Sequence, residues 1–162
     1  LKEYSTLMHN RLGLVAGASS GEANTYIINT WLDILAVEKK DYCATFRQLC
    51  AFDVFSDNQT LRDQFINRER FDEWAKCYTL TLIDQGIDQT KRHTQMRQHN
   101  PHIVLRNYLA QQVIDRAEEG NFEMFHQFIE ALKKPYEEID EYQKFSAPPP
   151  NWGKQLEISC SS

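Results

Sequence analysis

The stretch Asn100-Pro-His-Ile-Val-Leu-Arg-Asn-Tyr-Leu-Ala-Gln-Gln-Val-Ile-Asp-Arg-Ala-Glu-Glu-Gly120 decides the fold class. Asn is a strong helix N-cap. Pro suits the first helical position, because the N–H it lacks would find no partner there. From that start Ile103, Val104, Tyr108, Leu109, Val113, Ile114 and Ala117 recur at helical spacing. Gly120 then stands where a helix turns into left-handed backbone. The spacing predicts one helix running from Asn100-Pro101 to Gly120. Arg106 and Asn107 fall between its apolar positions, which points either to a polar network or to contact with a partner or another domain.

Downstream, Asn121 is placed to cap a second helix carrying Phe122, Phe125, Phe128, Ile129 and Leu132, which Pro135 stops. The composition then changes. Pro148, Pro149 and Pro150 cannot be helical, so 136–162 reads as an extended tail docking through Tyr142, Phe145 and Trp152. The expected organisation is a helical domain over 1–135 followed by that tail.

Upstream the same period continues. Tyr4, Leu7, Met8 and Leu12 trace one helical face that ends near Gly13. Gly13, Gly17 and Gly21 punctuate a loop that lacks the Lys-Ser or Lys-Thr of a phosphate loop. Ser19 and Glu22 have the spacing of a capping box. The helix after them carries Ala23, Tyr26, Ile27, Thr30, Trp31, Ile34 and Leu35 on one stripe and ends at Lys39-Lys40. Asp41 caps a helix with Tyr42, Cys43, Phe46, Leu49 and Cys50. Ser56 or Asp57 caps one containing Leu61, Phe65 and Ile66. Phe71, Trp74, Ala75, Tyr78 and Leu82 form a further stripe closed by Gly86, and 88–99 is a polar helix or loop. Only 79–83 alternates like a strand, and it lies inside that stripe. The fold class is therefore all-α, an irregular packing of six to eight helices with an extended Pro-rich C-terminal tail.

The 162 residues suit a single domain, and 41% apolar with 12% aromatic content supplies a core. No apolar run of about 18 residues marks a membrane span, and no secretory signal opens the chain. The net charge of -5 argues against nucleic acid as a partner. The densest basic cluster, Lys91, Arg92, His93 and Arg97, reads as a solvated helix face. Residue 1 is Leu, which suggests a piece of something longer.

Candidate chemistry is sparse. Cys43, Cys50 and Cys77 fall on apolar stripes and read as small packed hydrophobes, whereas Cys160 in Ile-Ser-Cys-Ser-Ser reads as an exposed thiol. His99 and His102 could share a helical turn, but no further ligand at motif spacing completes a metal site. His9 and His126 are isolated. Glu118-Glu119 and Glu137-Glu138 are neighbours that do not face each other on a helix. Asn58-Gln-Thr60 is a chance sequon match. No catalytic, cofactor-binding or metal-binding residue is assigned from residue chemistry alone.

Four blocks carry a resemblance. The 100–120 stretch is similar to the NP…LRNYLAQ..I..AE.G signature of the selenoprotein O family. Ala147-Pro-Pro-Pro-Asn-Trp152-Gly through Ser159-Cys-Ser-Ser162 resembles its terminal PP.W…SCSS. Met8-His-Asn-Arg-Leu-Gly-Leu14 resembles M..KLGL, with Arg11 where Lys is usual, and Asp41-Tyr-Cys-Ala-Thr-Phe-Arg-Gln-Leu49 resembles DY...FR.L. They occur in family order across nearly the whole chain.

The resemblance implies a parent enzyme with a kinase-like, pseudokinase-related fold. Such a parent binds ATP with magnesium or manganese and transfers AMP to Ser, Thr or Tyr of proteins. It implies that this chain is the C-terminal helical region without the upstream catalytic core, which would be its partner in cis. The expected setting is a bacterial cytoplasm. Cys160 matches the family's terminal redox position, selenocysteine in some members, and resemblance pairs it with a cysteine of the missing region. Ser159 stands where some members carry a second cysteine. A helical module that recruits substrates without taking part in catalysis is the alternative.

Overall fold

The computed structural model describes residues 2–17 and 21–153. Among them are eight α-helices, two short 3-10 helices and no strand, so the all-α expectation holds. The helices are α1 (Lys2–Leu12), α2 (Gly21–Val37), α3 (Tyr42–Leu49), α4 (Gln59–Arg62), α5 (Arg68–Asp84), α6 (Gln89–His99), α7 (Asn107–Glu118) and α8 (Glu123–Lys133). The chain divides into two compact units, Leu1–Asn100 and Pro101–Ser162.

The first unit is organised by aromatic rings that the α2 and α5 stripes bring together. Trp31 stacks on Trp74 with centroids 4.2 Å apart, and Phe46, Phe65 and Phe71 surround the pair. Each such ring contributes roughly 1.5–3 kcal/mol by leaving water. The Trp74 indole N–H is satisfied by the Ile27 carbonyl at 3.0 Å. The α2 stripe is rotated slightly from its expected phase. Asn24 and Ile28 face inward, while Ala23 and Tyr26 face out. The reason is polar. The Asn24 amide donates to the Val15 carbonyl and accepts from the Gln85 side chain, both at 2.9 Å, which ties the 13–17 loop to the end of α5. Asp41 caps α3 as expected, accepting from the Ala44 N–H at 2.7 Å. Asp88 caps α6 in the same way through Lys91, which settles the 88–99 segment as helix.

Some expectations shift. Tyr4 and Leu7 stay exposed, so α1 buries only its C-terminal half through Met8, Arg11 and Leu12. Neither Ser56 nor Asp57 is the N-cap residue of α4. That residue is Asn58, at φ +50°, and its own side chain turns back to the Asp53 backbone, N–H and carbonyl each at 2.8 Å. The helix is a single turn, Phe65 packs from beyond its end, and Ile66 is exposed. The Ser19–Glu22 capping box lies outside the described residues on its Ser19 side.

In the second unit the helix expected from Asn100-Pro101 begins only at Asn107. Asn100 instead closes α6, and its amide is committed to tertiary partners, so it caps nothing downstream. Residues 101–106 run without helix, and the His102 and Ile103 N–H groups both donate to the Pro135 carbonyl. Gly120, at φ +81°, ends α7 as read from the sequence. Asn121 accepts from the Glu123 N–H at 3.0 Å, one residue before the formal cap Phe122. The core of this unit is Ile103, Tyr108, Leu109, Val113, Phe128, Ala131 and Phe145.

The tail is less extended than its prolines suggest. It forms 3-10 helices at Asp140–Phe145 and Asn151–Gly153, and Phe145 is fully buried against Phe128 at 5.0 Å. The Arg106 guanidinium donates to the Ser146 and Ala147 carbonyls at 3.2 and 2.9 Å, and the Tyr108 hydroxyl donates to Ala147 at 2.7 Å. Gly153 sits so close to Tyr108 that an added Cβ would meet its Cβ at 2.7 Å. The 136–153 segment thus belongs to the compact unit that begins at Pro101.

Candidate functional site

Three of the four sequence blocks meet at one knot in the first unit. Arg11, from the Met8–Leu14 block, lies over the rings of Tyr42 and Phe46, its guanidinium carbon 4.6 and 4.4 Å from their centroids. Both rings belong to the Asp41–Leu49 block. The third block enters through Asn100, whose side-chain oxygen accepts from Arg11 Nε at 2.9 Å. Its amide nitrogen donates to the Arg11 carbonyl at 2.8 Å and the Met96 carbonyl at 3.0 Å. Arg47 donates to the carbonyls of Arg97 and Asn100. The planar guanidinium suits this place because it can stack and hydrogen-bond at once. Cys50 packs beside Asn100, whose amide reaches its sulfur at 3.4 Å. Burial pushes the thiol up, against the opposing pull of that bond and of Arg47.

A second buried cation lies nearby. Arg92 is 1% exposed, so the basic cluster of α6 is not the solvated face its composition suggested. Arg92 donates to the Phe52 carbonyl, to the Tyr78 hydroxyl at 3.2 Å and to Gln89 at 3.0 Å. His93 Nε2 shares the Phe52 carbonyl at 2.9 Å, and Tyr78 donates to the Leu12 carbonyl at 2.5 Å. Burial pushes the Tyr78 hydroxyl up to about 12 despite Arg92 beside it, so it works as a neutral donor and acceptor. Gly13 makes this contact possible. Its φ of +62° turns the chain after α1, and a Cβ there would stand 2.6 Å from Arg92 Cγ.

The chemistry of both clusters is inward and structural. Their donors and acceptors satisfy one another except for Arg11 Nη2, which is buried without a hydrogen-bond partner, and neither cluster sets a nucleophile against a base. Among the described residues no group of three or more His, Cys, Asp or Glu is gathered to hold a metal ion. His99 ends α6 and His102 lies in the non-helical stretch, bonded to Gln143 at 3.0 Å, so the two share no turn. Glu119 pairs with Arg116 on the surface. Cys43, Cys50 and Cys77 are free thiols, only Cys50 being fully buried. Cys160 and Ser159 lie outside the described residues. No described helix is long and apolar enough to cross a membrane.

Sequence reasoning passed over Arg11, Arg92 and Tyr78 as site residues. The signal for Arg92 was its position four before Met96, on the face that α6 buries.

Comparison with known proteins supplies the rest. A family model described as protein adenylyltransferase SelO matches residues 1–133. A protein nucleotidyltransferase YdiU from Pseudoalteromonas atlantica is 43% identical over all 162 residues, which cover 33% of that protein. The proteins of the same name from Salmonella schwarzengrund and Enterobacter are 38% and 37% identical over the same span. The chain thus spans about a third of the length of the curated relatives it matches.

Proposed function

The chain belongs to the SelO family of protein adenylyltransferases, and from that membership we propose that it is the C-terminal helical region of such an enzyme, bracing a catalytic region encoded elsewhere in the same polypeptide. The observation that carries this reading is the end-to-end match of all 162 residues to a third of a nucleotidyltransferase. The parent is read as an enzyme that moves AMP from ATP to a Ser, Thr or Tyr hydroxyl of a protein, releasing pyrophosphate. Catalysis of that kind rests on positioning and on neutralising phosphate charge with magnesium or manganese. The residues described here are assigned none of those steps. Their two cation-centred clusters instead supply the rigidity that a brace needs.

The test is transfer of labelled AMP by the full-length protein with and without residues 1–162. Loss of both self-modification and substrate modification supports bracing. Loss of substrate modification alone supports the alternative, a substrate-recruiting module. The isolated chain, given ATP and magnesium or manganese, is expected to transfer nothing, and specific turnover by it overturns the reading.

Cys160 is proposed as a long-range redox partner for a cysteine of the catalytic region. Non-reducing peptide maps of full-length protein and its Cys160→Ser variant after mild oxidation check this. A bridged peptide that persists in the variant sinks the idea.

A further inference from the structure

The apolar face of α1 outruns the unit that covers it. Tyr4, Leu7, Met8 and Arg11 share one helical face by spacing. Met8 and Arg11 are buried on α3, while Tyr4 and Leu7, each one turn earlier on the same face, stand 55% and 45% exposed. Tyr42 continues the surface from α3. It is 39% exposed, its hydroxyl reaches the Met8 sulfur at 3.7 Å, its ring carries the Arg11 guanidinium, and Tyr4 lies close enough to raise its pKa, after burial, which raises it most. The result is a patch of two tyrosines and a leucine mounted on a rigid, buried base. Aromatic residues over a fixed base are what protein–protein contact cores select, because two-torsion side chains lose little entropy when covered.

We propose that this Tyr4–Leu7–Tyr42 face is a docking surface for the part of the full-length protein that lies outside residues 1–162. The occupant follows from length. The chain spans a third of its relatives, so about two-thirds of such a protein is tethered to this unit. A tethered partner acts at an effective concentration that a free one rarely matches. The proposal rests on the bracing reading and gives it a location.

The experiment uses full-length protein carrying Leu7→Cys or, as a control, Ile66→Cys, where Ile66 is 88% exposed. Alkylation rates at each site are resolved by peptide mass and normalised to the rate in denaturant. The difference between 45% and 88% exposure accounts for about a twofold rate difference. A covered Leu7 site is expected to react at least tenfold more slowly than the control, at every protein concentration. Rates within threefold of each other overturn the proposal. Protection that disappears on dilution also overturns it, since the occupant would then be a second copy. AMP transfer by the wild-type protein is measured in parallel. A covered face in a protein that transfers no AMP sinks the catalytic reading and leaves the surface standing.

Discussion

At the scale of single residues, the unusual feature is a pair of guanidinium groups in the core, met by neutral oxygens and, at Arg11, by two rings. Arg92 sees the Phe52 carbonyl, the Tyr78 hydroxyl and the Gln89 amide, and Arg11 sees Asn100 and two rings. A buried cation earns little net stability from such partners, and apolar replacement is often tolerated when no partner is orphaned. That condition is met at Arg92. Without it, the Phe52 carbonyl keeps His93 and the Tyr78 hydroxyl keeps Leu12. Arg92→Met, which preserves volume against Gly13 and Met96, is therefore expected to cost about 1 kcal/mol or less, and Arg92→Ala about 2–4 kcal/mol through the cavity it leaves. Urea midpoints of the three proteins measure both, and a Met variant as unstable as the Ala one would show that the charge itself is needed. This arrangement was illegible in the sequence because charge patterning treats Lys91, Arg92 and His93 alike. Only the position relative to Met96 separates the one that turns inward.

At the scale of elements, helix ends divide into those set by their own residues and those set from a distance. Asp41, Gly86 and Gly120 were readable because each acts within a few residues of itself. Asn100 was misleading for the opposite reason. A capping-type residue before Pro is a local signal, and a contact 89 positions away, to Arg11, outweighs it. The start of α5 shows the same long reach. The Glu38 carboxylate accepts from the Ile66 and Asn67 N–H groups, each at 2.9 Å, and Lys40 stands at 3.4 Å. Burial pushes its pKa up, yet those hydrogen bonds and Lys40 outweigh burial and leave it below its ordinary 4.5. A depressed folded pKa gives stability that is complete above the unfolded value and lost as pH falls through the folded one. Glu38→Gln keeps a single acceptor oxygen, so about 1–2 kcal/mol is expected to go at pH 7. Below the folded pKa the difference should shrink toward zero. Urea unfolding at a series of pH values below 7, with the Glu38 carboxyl followed by NMR, checks this, and a difference that stays constant while that carboxyl becomes protonated would remove it from the explanation.

At the scale of the whole molecule, composition allowed one domain, but the chain builds two cores. The first gathers Trp31, Trp74, Phe46 and Phe71, and the second Phe128, Phe145, Tyr108 and Leu109. The division between the two compact units lies beside Pro101, at the Asn100-Pro101 pair from which the sequence predicts a helix to start. The tail is held by Arg106 and Tyr108 through backbone carbonyls, which carry no sequence signature. Two cores imply two cooperative blocks. Phe145→Ala removes a fully buried ring from the second, a loss of about 3–5 kcal/mol to that block. Native-state hydrogen exchange should show amides of α7 and α8 losing protection by that amount while those of α2 and α5 keep theirs. Equal loss in all four helices would mean that the two cores open together, and a brace would then transmit damage in either unit to the other.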